Sequence, residues 1–389
     1  MNAKIVWKMD FMKIGIITEV MDIEEKSGIP NYLKYILNNI PNIEHEHDFY
    51  LIHYQKSNDP LYKNMNEIIA PLYSVKPTRF LQTTLTDALK LPSLIKENEI
   101  DLVHNPSPTP FHNPLFLQKG FKKVMTIHDL YKFLPSFQTK IYNNPKIWTH
   151  DMLWRSTLFA IRERVDKFIA VSENTKKDMI KFLKIPEDRI EIIYSAPHER
   201  FKQVGMEIPE YINSPFILSD NIRTDIIEMY YGLRKRGVEI KLVIFGTGNV
   251  NPLQRAKLEK MMEELGLEKE IIFAGRVSDE ELLRLYNTAE LYIRPSWYEG
   301  FGLPPLEAMA CGCPVIVSNV GALPEVVGDA GILANPHNIN EWTDSMYEIL
   351  TDEGLREDIV SRGLERAKMF SWKKTAKETI AVYESVCNS

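Results

Sequence analysis

Short apolar runs rich in β-branched residues punctuate this chain, and stretches with helical spacing separate them. In the first half the runs are KIGIIT (13–18), FYLIHY (49–54), DLVHN (101–105), KVMTIHD (123–129), KFIAVS (167–172) and IEIIYS (190–195). In the second half they are FILS (216–219), KLVIFG (241–246), EIIFAG (270–275), LYIRPS (291–296), PVIVSN (314–319) and GILAN (331–335). Runs that are apolar throughout, rather than alternating, read as strands covered on both faces, the arrangement of a parallel sheet flanked by helices. Segments 252–265 and 278–288 have the 3.6-residue spacing of helices, and Ser278 with Glu281 forms a capping box. A βαβα order that runs twice predicts an α/β chain of two doubly wound, Rossmann-like domains. At 389 residues there is chain enough for two. The seam falls in ERFKQVGMEIPEYINSPF (199–216), which lacks clear periodicity and carries Pro209, Pro215 and Asn213-Ser214. The expected division is 1–200, 201–370 and a C-terminal helix over 371–389 begun by Ser371.

Bulk properties exclude several classes. Lys and Arg number 47 against 53 Asp and Glu, a formal charge of −6, whereas a general nucleic-acid binder is basic. Cys311, Cys313 and Cys387 are too few for a disulfide framework and suit a reducing compartment. Cys311 and Cys313 form a lone C-x-C, read as two small buried residues. Lys4, Lys8, Asp10 and Lys13 break the N-terminal apolar run, so it lacks the uncharged core of a signal peptide. No stretch reaches the roughly 18 apolar residues needed to span a bilayer. The expectation is a cytoplasmic protein. Segment 72–96 mixes apolar and basic residues. It reads either as a core helix with solvated lysines or as a peripheral contact with the inner face of a membrane. His45, His47, Asp48 and His53 lack a metal-ligand spacing and read as solvated surface.

Open parallel sheets bind ligands beyond the carboxyl ends of their strands. Directly after one predicted strand comes WYEGFGLPPLEAMACG (297–312). Pro304 suits a first helical residue, PLEAMA continues the helix, and Gly312 ends it. Gly300 and Gly302 let bare backbone approach a ligand, and loop amides at a helix start favour an anion. Glu299 and Glu307 would repel phosphate, so they read as hydroxyl acceptors, one for a sugar and one for a ribose. The bland alternative is a tight turn with solvated glutamates. His128, beside Asp129 at a strand end, is a functional or a structural histidine. Gly28 is a ligand-approach or a turn glycine. Gly246-Thr247-Gly248 either cradles part of a nucleotide or turns the chain.

EGFGLPPLEAMACGCPV resembles the E-x7-E motif of retaining, GT-B-fold glycosyltransferases of family 4. The likeness extends over 271–336 almost position by position, and it takes in SGIPNYLKYIL, VMTIHDL and FIAVSENTKKDMI in the first half. It implies two domains facing a cleft, with the C-terminal helix crossing back to the first. It also implies transfer of a sugar from a nucleoside-diphosphate sugar to an acceptor hydroxyl with retention, and no metal or other cofactor. Carried over, Glu299 contacts the donor sugar's hydroxyls and Glu307 holds the donor ribose. The amides of Gly300, Phe301, Gly302 and Leu303 meet sugar and diphosphate, with Gly246 and Gly248 nearby. Gly28 admits the diphosphate, His128 lies near the transferred sugar, and Arg276 and Val277 frame the nucleobase. The TIHDL form is similar to mannosyl- and rhamnosyl-type members, which favours a GDP-sugar over a UDP-sugar. The acceptor is an unspecified glycan or lipid-linked sugar.

One departure stands out. Members of the family carry a longer loop after the second domain's first strand, with a basic pair that clamps the diphosphate. Here FILSDNIRTDIIEMYYGLRKRG passes from strand to helix almost at once, and Arg223 is the basic residue near that strand end. Arg223 either replaces the clamp or is solvated. The short loop keeps open a non-catalytic nucleotide-sugar-binding or partner subunit. A GT-B-fold sugar-nucleotide epimerase is a third reading, which the second glutamate disfavours.

Overall fold

A computed structural model describes residues 11–22, 28–56, 60–61, 65–73, 79–107, 113–134, 145–220, 222–246 and 252–387. The chain forms two compact units, Met1–Tyr194 with Trp372–Ser389, and Ser195–Ser371.

The first unit contains β1 (Lys13–Ile17), β2 (Asp48–His53), β3 (Asn66–Ile69), β4 (Leu102–Asn105), β5 (Lys122–Ile127), β6 (Lys167–Ala170) and β7 (Ile190–Ile192). They pair in parallel in the order β3-β2-β1-β4-β5-β6-β7. Six of the seven coincide with apolar runs of the sequence. The edge strand β3, NEII, does not announce itself, because only Ile68 of it is buried. β4, in contrast, is buried at all four positions, as a strand covered on both faces must be.

Helix Trp372–Cys387 belongs to this unit. Trp372, Ala376, Ile380 and Tyr383 recur at intervals of three or four residues, so they share one helix face, and all four are buried. The Trp372 ring lies 5.7 Å from that of Tyr32 and 5.1 Å from that of Tyr35, both on helix Ile29–Asn39. Tyr383 Oη lies 2.7 Å from His104 Nδ1.

The second unit contains β8 (Phe216–Ser219), β9 (Lys241–Phe245), β10 (Ile271–Gly275), β11 (Leu291–Arg294), β12 (Val315–Ser318) and β13 (Ile332–Ala334). All pair in parallel, in the order β10-β9-β8-β11-β12-β13. Helices Thr224–Lys235 and Ile339–Thr351 bury Tyr230, Leu233, Trp342 and Met346 against this sheet. Helix Asp279–Thr288 begins where Ser278 and Glu281 place it: Ser278 Oγ accepts the Glu281 N–H at 3.1 Å.

Two surface readings need correction. His47 and His53 are buried, not solvated: the last three residues of β2 are covered on both faces, and His47 packs beside the C-terminal helix. Each faces a carboxylate, His47 Nε2 at 3.3 Å from Glu384 and His53 Nε2 at 3.1 Å from Glu67. Among the described residues no group of three His, Cys, Asp or Glu is placed to hold a metal. Residues 79–97 form consecutive helical turns with Leu91 and Ile95 in the core and Leu89 exposed. No described helix is long and apolar enough to cross a membrane.

Candidate active site

In the second sheet the strand order reverses between β8 and β11, where such a sheet opens a crevice beyond its carboxyl edge. β11 ends on Arg294. The chain then turns as far as Gly302 and enters helix Leu303–Ala310. Gly302 precedes this helix with φ 104, a conformation that favours glycine, and a Cβ there would also press on Leu323 Cδ2 at 2.8 Å. Pro304 is the second helical residue rather than the first. It still lies in the opening turn, where the missing N–H has no intrahelical partner to lose. Gly312, with φ 77, ends the helix.

Glu299 is held firmly. Its Oε1 accepts from Arg294 Nε at 2.9 Å and Ser296 Oγ at 2.6 Å, and Arg294 Nη2 stands 2.8 Å away as an ion pair. Among the described residues no hydrogen bond falls on its Oε2. Arg294 also donates from Nη1 to Asp220 Oδ2, and Tyr292 Oη donates to Asp220 Oδ1 at 2.8 Å. The backbone is pinned as well: Ala322 N donates to Glu299 O at 3.0 Å. Gly321, at φ 62, packs so closely that a Cβ would stand 2.6 Å from that same oxygen.

Glu307 lies in the second turn of the helix. Its half-buried carboxylate makes no hydrogen bond or ion pair among the described residues. Burial, together with the nearby Asp279 charge, raises its pKa to about 7, against the opposing pull of Arg294 and Arg200.

The remaining second-unit candidates lie along the same edge. Gly246 follows β9 with φ 74, and a Cβ on it would stand 3.9 Å from Asp220 O. Arg276, exposed, and Val277 follow β10 and line a shallow hollow with Tyr211 and Glu281, whose side chains are bonded at 2.7 Å. The Phe301 ring is buried 6.0 Å from Phe370. Gly248 lies outside the described residues. Arg223 is not a free cation. Its guanidinium is paired with the Asp225 carboxylate, donates to Pro295 O and lies 4.4 Å over the Trp297 ring.

In the first unit Gly28 and His128 are linked through one helix. Gly28, exposed at φ 60, opens helix Ile29–Asn39, and a Cβ there would meet nothing within 4 Å. Tyr32 on that helix meets the His128 ring edge-on at 4.7 Å. His128 donates from Nε2 to Pro106 O at 2.8 Å, which leaves Nδ1 as an acceptor. Desolvation lowers the His128 pKa to about 4, so the ring is neutral near pH 7.

The sequence reading missed Asp220, Arg294, Ser296 and Gly321. The available signal was Arg294 itself, a charge closing the apolar strand LYIR one strand over from Arg223.

Residues 26–196 match the family described as Glycosyltransferase Family 4, and residues 224–366 that described as Glycosyl transferases group 1. Two relatives from Escherichia coli are similar over parts of the chain. The serotype-specific mannosyltransferase WbdA is 30% identical over 241 residues, 58% of this chain and 30% of that protein. The O-antigen chain mannosyltransferase B is 48% identical over 114 residues, 29% of this chain and 30% of that protein. The matched chain thus spans under a third of the length of these relatives. Among solved structures, sucrose-phosphate synthase from Thermosynechococcus elongatus superposes with a TM-score of 0.76 at 20% identity, covering 97% of this chain and 99% of that one. With two parallel sheets and the glycine-bounded acidic motif in place, the chain belongs to the family 4 glycosyltransferases of GT-B fold.

Proposed function

We propose that this chain transfers a hexose, mannose in the first instance, from a GDP-linked donor to an acceptor hydroxyl with retention of anomeric configuration. The observation that carries the reading is the pair Glu299 and Glu307 beside a glycine-built helix start. One carboxylate oxygen of Glu299 is open, and the Glu307 carboxylate has no partner among the described residues. A carboxylate with a vacant lone pair is a strong hydroxyl acceptor. Glu299 takes the donor sugar's hydroxyls and Glu307 the ribose. The amides from Gly300 to Leu303 and the helix dipole receive the diphosphate. In the first unit, Gly28 leaves room for a ligand, and His128 Nδ1 accepts from a sugar hydroxyl.

In the reaction the bond between the anomeric carbon and the diphosphate oxygen breaks. The acceptor oxygen bonds to that carbon on the same face, and its proton leaves with the diphosphate. Preorganised amides stabilise the charge developing on the leaving group, so no resident metal is invoked. The GDP and mannose preferences rest on the TIHDL motif and on the mannosyltransferases among the relatives.

The test is transfer from GDP-mannose to mannose-terminated oligosaccharides, followed by NMR of the anomeric proton, with and without chelator. The expected product is an α-mannoside whose yield the chelator leaves unchanged, with Glu299→Ala folded but inactive. Isomerised donor, or normal turnover by Glu299→Ala, would overturn the reading. Binding of donor without any transfer or hydrolysis would favour the non-catalytic subunit, which the Arg223–Asp225 pairing motivates.

A further inference from the structure

Four side chains at the carboxyl edge of β8 and β11 form one continuous network: Tyr292, Asp220, Arg294 and Glu299. Tyr292 is fully buried, and the three charged side chains are only 13–18% exposed. The network links the two strands that flank the reversal of strand order. A single guanidinium thus serves two carboxylates, so its charge is more than offset before any ligand arrives. An arginine so committed is poorly suited to clamp a diphosphate. It is well suited to fix a carboxylate, because its planar fork presents several donors in rigid geometry.

We propose that Arg294 is a positioning residue for sugar transfer: braced by Asp220, it fixes Glu299 through Oε1 and leaves Oε2 aimed at the donor sugar. This deepens the function proposed above and rests on it. Two hydrogen bonds converge on Oε1, from Arg294 Nε and Ser296 Oγ, with Arg294 Nη2 in ion-pair contact with the same oxygen, while Oε2 receives no hydrogen bond among the described residues. That asymmetry sets which oxygen reads the substrate. It also fixes the carboxylate plane, since a quarter turn would carry the bonded oxygen away from both Arg294 and Ser296. The Glu299 backbone is locked independently by Ala322 and Gly321, so loss of Arg294 frees the side chain without freeing the loop.

The role separates from a merely structural one by what is lost. Arg294→Gln and Ser296→Ala are compared with the unaltered chain for affinity toward GDP, affinity toward GDP-mannose, and donor kcat and KM. For Arg294→Gln the expected result is unchanged GDP affinity, loss of the extra affinity that the sugar confers, and a kcat lower by about 100-fold, the scale of a misplaced reacting group. Ser296→Ala should move the same way by less. Arg294→Lys should fail to rescue, because a point charge cannot replace the fork. Retained turnover in Arg294→Gln overturns the inference alone. Loss of GDP affinity in proportion to turnover also overturns it, and makes Arg294 a diphosphate contact. Should Arg294→Gln not fold, Ser296→Ala decides: lower kcat with unchanged GDP affinity supports the role, and unchanged kcat overturns it. Failure of the unaltered chain to bind any nucleoside diphosphate overturns the proposed function and this inference with it.

Discussion

Glu299 and Glu307 flank the same glycine-built turn, yet one accepts two hydrogen bonds and an ion-pair contact on a single oxygen and the other has no partner among the described residues. Burial and the Asp279 charge hold the Glu307 pKa at about 7. A ribose diol donates to the ionised carboxylate more strongly than to the acid. Nucleotide affinity is therefore expected to rise between pH 6 and pH 8, and Glu307→Gln to flatten that rise. Titration calorimetry across the range checks this, and an unaltered slope in Glu307→Gln would contradict it. The two glutamates were legible in the sequence because glycines and prolines with evident backbone roles bracket them. Arg294 and Asp220 were not. Their partnership arises from parallel pairing of β8 with β11, which brings together residues more than seventy positions apart.

At the scale of elements, the site depends on how tightly the turn after β12 supports the turn after β11. Gly321 sits with φ 62, and a Cβ there would intrude to 2.6 Å from Glu299 O and 2.7 Å from Glu299 N. Gly321→Ala is expected to destabilise the second unit by about 1–3 kcal/mol, the usual scale of overpacking, and to displace Glu299 from its donors. Denaturant midpoints and turnover together check this, and a variant with both intact would contradict it. Strands were legible wherever the run was apolar on both faces, and their predicted limits agree with the observed ones to within a few residues. β3 escaped because an edge strand with one buried residue has no apolar run to show. The burial of His47 and His53 escaped because what covers them, Glu384 of the C-terminal helix and Glu67 of β3, is brought there only by the tertiary fold.

For the whole molecule, the two units carry opposite pH dependences. In the first unit desolvation lowers the His104 pKa to about 3, and that of His128 to about 4. An unfolded histidine titrates near 6.5. Below that pH the unfolded chain takes up protons that the folded unit refuses. Stability is therefore complete above pH 6.5 and is lost as pH falls toward 4 and 3. In the second unit Glu307 has a raised pKa, so its contribution is complete below the ordinary glutamate range and is lost as pH rises through about 7. Segment-resolved hydrogen exchange at pH 5 and pH 7.5, corrected for intrinsic rates, reads the units separately. The first is expected to loosen at pH 5, and unchanged protection there would contradict the assignment of two neutral histidines, His104 buried and His128 half-buried.

The donor site is reached most directly by titrating the folded chain with GDP, GDP-mannose, UDP and UDP-glucose in a calorimeter. Tighter binding of GDP-mannose than of GDP, with uridine nucleotides weaker and the sugar's advantage abolished in Glu299→Ala, is the predicted result. Absence of binding by all four would contradict a nucleotide-sugar site at the Glu299–Glu307 turn.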